Sequence, residues 1–215
     1  MPILLVAATS AELAPFAAIQ NEAVESSKSE IATLITGVGV MACAQSVQYS
    51  IHQKRPDLMI QIGIAGSFDP AEKLGTAMIV ARDRMGDLGV MEQGTFNDLY
   101  DLKLADPNEK PYTQGFLNNP MIEHPDLSSY HSCTGITVNE ITTDSTRITL
   151  YRNKYQAEIE TMEGAAFHYV ALKNQIPFLQ IRGISNHVGE RNKKNWQIAT
   201  ALENAYSILE AFLKK

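Results

Sequence analysis

Glu12, Glu163 and Asn186 each stand where a short apolar run gives way to small or polar residues. Glu12 follows Ala8-Thr9-Ser10-Ala11, Glu163 lies in Met162-Glu163-Gly164-Ala165-Ala166, and Asn186 closes Arg182-Gly183-Ile184-Ser185-Asn186. Carboxylates aimed into one pocket favour a transition state that gains positive charge. An amide offers that pocket both a donor and an acceptor. Gly37-Val38-Gly39 and Gly63-Ile64-Ala65-Gly66 add positions where a ligand can approach the backbone. Each element alone has a plainer reading. Glu12 suits a first helical turn through the helix dipole, Glu163 could be a helix-start acid, and Asn186 a turn residue or cap. His168, on a helix, reads as structural, and His187 has no spaced partner.

Several chemistries are excluded by motif. Gly37-Val38-Gly39 lacks the third glycine of a dinucleotide fingerprint, and the P-loop Lys-Ser/Thr is absent. There is no Gly-x-Ser-x-Gly elbow, which weakens an acyl-hydrolase reading. Cys43 and Cys133 are too few for a disulfide scaffold, and no His/Cys spacing resembles a zinc site, so neither a metal nor a cofactor is expected. With 18 Lys+Arg against 24 Asp+Glu the net charge is −6, which argues against a nucleic-acid partner. The apolar N-terminus has no basic n-region, and no apolar run approaches the roughly 20 residues that cross a bilayer. The expectation is a cytoplasmic protein without a membrane partner.

The residues above must be positioned by elements that the pattern also supplies. Apolar runs at 3–8, 31–36, 58–62, 77–81, 133–138, 157–161 and 178–184 read as strands. Helical composition occupies a segment holding Glu12, Leu13 and Phe16, then 42–52, 146–154, 163–173 and 196–213. Between 84 and 131 the pattern weakens, and such a stretch often covers or edges a site. Strand–helix alternation over 215 residues predicts an α/β domain with a mixed sheet. Ligands in such sheets gather at the carboxyl ends of the strands, where Glu12, Glu163 and Asn186 all fall.

Taken together and in order, these segments resemble the nucleoside phosphorylase/nucleosidase superfamily, in its purine nucleosidase branch. The matching pieces are Ala8-Thr9-Ser10-Ala11-Glu12, Thr36-Gly37-Val38-Gly39, Gly63-Ile64-Ala65-Gly66, Glu160-Thr161-Met162-Glu163-Gly164-Ala165-Ala166 and Arg182-Gly183-Ile184-Ser185-Asn186. They span nearly the whole chain. The resemblance implies one domain over 1–215, a three-layer α/β/α sandwich around a twisted mixed sheet. It implies that Glu12 holds the attacking water, that Met162 and Glu163 lie under the ribose, and that Asn186 faces the purine. Gly66 joins the substrate-contacting set. The loop holding Val138 and Asn139 corresponds by position to the segment that reads the base edge, although its local sequence matches less closely.

Asn186 departs from the Asp that the branch's adenine-cleaving members carry. An amide tolerates a carbonyl oxygen beside N7 where a carboxylate would repel it, so the expected substrate is a small 6-oxopurine nucleoside with hypoxanthine as leaving base. The family's phosphorylases bind phosphate through arginines, and neither 7–13 nor 63–69 contains one, which favours water. Arg82 and Arg84 keep a purine nucleoside phosphorylase open as an alternative. A methylthioadenosine/S-adenosylhomocysteine nucleosidase and a non-catalytic nucleoside-binding protein are the others. Within the branch, Asn186 beside this Met-Glu-Gly-Ala-Ala segment implies an inosine-like substrate with a carboxylated aromatic extension, for which Arg191 or Arg147 could supply the cation. The resemblance also implies a homodimer or higher homo-oligomer.

Overall fold

Every residue of β1 (Ile3–Ala7) is buried, which is why its sequence is an unbroken apolar run. Alternation splits it between two cores. Ile3, Leu5 and Ala7 join one cluster with Phe16, Ala205 and Leu209; Leu4 and Val6 join another with Val47, Phe167 and Phe178. A computed structural model describes residues 1–214; Lys215, the last residue of the expected 1–215 unit, lies outside them. After β1 come α1 (Ser10–Leu13), α2 (Phe16–Ser27), β2 (Ile31–Ile35), α3 (Val40–Gln53), β3 (Leu58–Ser67) and β4 (Ala77–Asp83). A hairpin, β5 (Gly89–Glu92) and β6 (Thr95–Asp98), and a short β7 (Leu117–Asn118) follow. The chain ends with β8 (Ser132–Thr137), α4 (Ser145–Tyr155), β9 (Ile159–Thr161), α5 (Gly164–Lys173), β10 (Phe178–His187) and α6 (Ile198–Leu213).

Helices α2 and α6 cover one face of the sheet and α3 and α5 the other, giving the expected three layers. The sheet is mixed: β1 pairs in parallel with β2 and β3, whereas β9 runs antiparallel to β3 and β4 antiparallel to β10. It also folds back on itself. β3 pairs with β10, β10 with β4, β4 with β8, β8 with β9 and β9 again with β3, so five strands form a closed ladder.

Two strands run further than their apolar cores predict. β3 continues through Gly63-Ile64-Ala65-Gly66 to Ser67, and β10 continues through Ser185 and Asn186 to His187. Pairing between them explains this, because the two extensions ladder together with Ile184 opposite Ala65 and Asn186 opposite Gly66. Ser185 is the extra residue of a bulge, a device that bends a strand and re-aims its side chains. The weakly patterned 84–131 segment holds the β5–β6 hairpin and β7. None of its described residues lines the cavity below.

Candidate active site

The first helix is four residues long and is held by a capping box. Thr9 Oγ1 accepts the Glu12 amide at 3.2 Å, and Glu12 Oε2 accepts the Thr9 amide at 3.1 Å and its hydroxyl at 3.0 Å. Glu12 Oε1 reaches across to the Ile64 amide on β3 at 3.1 Å. The helix-cap reading of Glu12 is thus correct locally, and the cap is what aims the carboxylate at the end of β3.

Glu163 ends the turn between β9 and α5. Its Oε1 accepts the Gly39 amide at 2.9 Å, from the loop after β2. Burial pushes its carboxyl above the usual carboxylate range; the Arg182 guanidinium opposes that shift, and nearby Glu12 adds to it. Arg182, 1% exposed, enters from β10 beside Glu163. Its Nη2 lies 3.9 Å from Glu163 Oε2, and its Nη1 donates to the Ile64 carbonyl at 3.3 Å. The crossing is tight: a Cβ at Gly63 would sit 2.5 Å from Glu12 Oε1 and 2.6 Å from Arg182 Nη1. A larger residue there would have to displace one of those two side-chain ends. Arg182 was quoted in the sequence motif without a role; the signal was a polar residue recurring with Gln180 at the strand period in an apolar run.

The start of α5 is fixed from below by hydroxyls. Thr161 Oγ1 accepts the Gly164 amide at 3.2 Å, and Thr137 Oγ1 accepts the Ala165 amide at 2.7 Å. Thr137 donates in turn to Asp83 Oδ1 at 2.9 Å. Asp83 is fully buried, and burial pushes its carboxyl up to about 7. A Cβ at Gly164 would lie 2.1 Å from Asp83 Oδ2.

A cavity of about 300 Å³ opens above these groups. Glu12, Gly66, Met162, Glu163 and Asn186 all line it, so five of the seven residues selected from sequence share one space. Val138 and Asn139 do not. Val138 is buried among Phe68, Ile136 and Tyr151, and the Asn139 amide donates to Asp87 at 2.6 Å. The part of that loop facing the cavity is Ile141, two residues on. Asn186 is poised by its neighbours: the Ser185 hydroxyl donates to its Oδ1 at 2.7 Å, and its Nδ2 donates to the His187 carbonyl at 2.9 Å. Each amide atom keeps further hydrogen-bonding capacity for a ligand.

Glu160 also lines the cavity and was overlooked, although it was part of the matching segment. Arg82 and Arg84 are absent from the lining. Arg82 donates to Thr134 and covers Phe116 at 4.3 Å, while Arg84 pairs with Asp98 at 2.7 Å and stacks 3.9 Å from the Tyr155 ring centre. Among the described residues no His/Cys/Asp/Glu group has metal-binding geometry, and no helix is long and apolar enough to cross a membrane.

The chain belongs to the phosphorylase superfamily, whose family model matches residues 2–214. It is similar to a futalosine hydrolase of Acidothermus cellulolyticus, 30% identical over 192 residues that cover 83% of this chain and 74% of that one. A futalosine hydrolase of Streptomyces coelicolor is 27% identical over 176 residues, covering 79% and 72%. Among solved structures, an S-adenosylhomocysteine nucleosidase of Streptococcus pyogenes superposes with a TM-score of 0.80, covering 100% of this chain and 96% of that one at 18% identity.

Proposed function

We propose that the chain hydrolyses the N-glycosidic bond of a 6-oxopurine nucleoside, futalosine, releasing hypoxanthine and dehypoxanthine futalosine. The observation that carries this reading is the pair of buried carboxylates, Glu12 and Glu163, lining one cavity together with Asn186. Water held by Glu12 attacks the anomeric carbon as the bond to N9 breaks. Glu12 takes the water proton, the bonding electron pair leaves with the base, and that proton passes through solvent to the departing base, giving neutral hypoxanthine. Glu163 accepts the ribose hydroxyls and, with Glu12, favours the positive charge that builds on the sugar. Asn186 donates to N7 and so improves the leaving base, and its neutral amide tolerates the adjacent carbonyl oxygen.

Water is favoured over phosphate by the placement of cations. With Arg82 and Arg84 held elsewhere, the arginine beside Glu163 is Arg182, which is buried, donates to the Ile64 carbonyl and does not line the cavity. Incubating the protein with futalosine, inosine and methylthioadenosine, each with and without phosphate, tests this. Hypoxanthine release from futalosine at the same rate without phosphate is expected. Faster adenine release from methylthioadenosine, or a phosphate requirement, would replace the reading by one of its alternatives.

The substrate's carboxylated aromatic extension fits the cavity mouth. Arg191 lines it and lies 5.6 Å over the Trp196 ring, and Glu190 beside it has both carboxylate oxygens engaged by Asn192 and Asn195. Arg147 instead faces a neighbouring hollow and pairs with Glu140 at 3.3 Å. Arg191→Gln is expected to raise KM for futalosine about 10- to 100-fold, the worth of one charge-assisted contact. An unchanged KM would remove Arg191 from the site. That substrate places the reaction in menaquinone biosynthesis in the cytoplasm. We further propose a homodimer or larger assembly: Val38 and Ile141, both at the cavity edge, are 57% and 40% exposed, which suits cover by a second copy. Light scattering after size exclusion should give at least twice the chain mass.

A further inference from the structure

Asp83 is a buried acid that the proposed mechanism leaves without work. It ends β4, and its carboxyl is seated between two glycines. A Cβ on Gly135 would lie 2.9 Å from Asp83 Oδ2, and one on Gly164 would lie closer still. A carboxyl taken out of water is costly unless hydrogen bonds offset the loss. Asp83 Oδ1 accepts the Thr137 hydroxyl at 2.9 Å.

The other end of that contact is the turn that carries Glu163. Glu163 occupies the N-cap of α5, where a side chain ordinarily accepts one of the helix's first free amides. It makes no such bond, and its Oε1 is turned instead to the Gly39 amide. The cap comes from neighbouring strands. Thr161 of β9 accepts the Gly164 amide at 3.2 Å, and Thr137 of β8 accepts the Ala165 amide at 2.7 Å. A hydroxyl has one proton to give. That of Thr137 goes to Asp83, so across the 3.2 Å between the two hydroxyls it is Thr161 that donates. Every bond then runs one way, from the first amides of α5 down to Asp83.

We propose that Asp83 is a positioning residue for Glu163: through Thr137 and Thr161 it supplies the cap that Glu163 does not make, and so keeps that carboxylate free to hold the ribose hydroxyls. This rests on the nucleosidase reading of Glu163. Without the relay, the nearest substitute cap for the Ala165 amide is the side chain of Glu163 itself, which would be drawn back from the cavity onto its own helix. Glu12 shows that arrangement, since one of its oxygens closes the capping box of α1. The loss falls on recognition of the sugar and spares recognition of the base.

Calorimetry on the intact protein separates sugar from base. Formycin B, an inosine-like C-nucleoside whose glycosidic carbon–carbon bond resists hydrolysis, is compared with its 2′- and 3′-deoxy forms; hypoxanthine reads the base alone. The wild type is expected to prefer formycin B over at least one deoxy form by about 10- to 100-fold. Thr137→Val removes the hydroxyl and keeps the shape. The preference should fall about tenfold, while hypoxanthine affinity stays within about twofold of wild type. Thr137→Ser and Asp83→Asn keep the hydroxyl and its acceptor and should retain the full preference. Thr137→Cys is a gentler break that serves if the valine variant does not fold; its weakly donating thiol should give an intermediate preference. In a Glu163→Gln background, Thr137→Val should change the preference no further, because the relay acts through Glu163. An unchanged preference in folded Thr137→Val or Thr137→Cys, or an equal fall in hypoxanthine affinity, would overturn the proposal. Hypoxanthine release from futalosine separates the two levels. No release, with the preferences as expected, would overturn the hydrolase reading and leave Asp83 standing; release with the preferences unmoved would do the reverse.

Discussion

Glu12 combines two duties in one side chain. The same carboxylate closes a capping box on Thr9 and reaches the Ile64 amide across the chain. Glu12→Gln is isosteric and should keep much of the cap while losing the base for water. Turnover is expected to fall by about 10²- to 10⁴-fold with KM changed little; a variant with normal kcat would dismiss Glu12 from that role. The sequence made this residue visible because it follows an apolar run that had to be buried. Glu163, Met162, Gly66 and Asn186 were visible for the same reason. Glu160 was not, because it sits inside a strand whose pairing to Gly66 no local pattern announces. Val138 and Asn139 were chosen by position along a loop, and packing decided otherwise. Val138 is drawn into the cluster around Tyr151, and the turn that follows presents Ile141 instead.

At the scale of elements, the junction between β9 and α5 determines where Glu163 stands. Its amides rest on Thr161 and Thr137, and its first glycine lies against Asp83. Gly164→Ala would drive a methyl into that carboxyl and should destabilise the protein by about 1–3 kcal/mol, read from urea unfolding. A smaller loss would mean that Asp83 can swing aside. The main strands and helices were legible because burial on both faces leaves continuous apolar runs, as in β1. The hairpin at 89–98 was missed for a physical reason. Its turn uses Gln93 and Gly94, both at positive φ, and Gln-Gly is a weaker turn signal than Asn-Gly. The strand extensions at 63–67 and 185–187 carry no local signal because they are stabilised by pairing with each other and, at Gly66 and Ser67, with β9.

For the whole molecule, two buried titratable groups give stability a pH signature. Asp83 has an ordinary value of 3.8 and rises to about 7 in the fold. Between those values the native state holds a proton that the unfolded chain has released, so this contribution is lost as pH rises. His168 has an ordinary value of 6.5 and falls to about 4, chiefly through burial. There the unfolded chain holds the extra proton, so this contribution grows as pH rises toward 6.5. The two slopes oppose each other through most of that window. Asp83→Asn should remove the falling contribution and steepen the rise of stability with pH, by up to about 1.4 kcal/mol per pH unit. Unfolding free energies at several pH values from 4.5 to 6.5 would reveal it, and curves parallel to the wild type would exclude it.

The hydroxyl of Tyr206 donates to the Glu12 carbonyl at 3.0 Å, joining residues 194 positions apart. During synthesis, therefore, the turn that carries Glu12 is made 194 residues before the tyrosine that backs it. Arg182 and Asn186 also arrive late. A ribosome-bound chain in which α6 has not yet been made would carry Glu12 without that support, so any activity that needs Glu12 should appear only after α6. Fragments that stop short should be silent, and nicked halves should work only when they recombine.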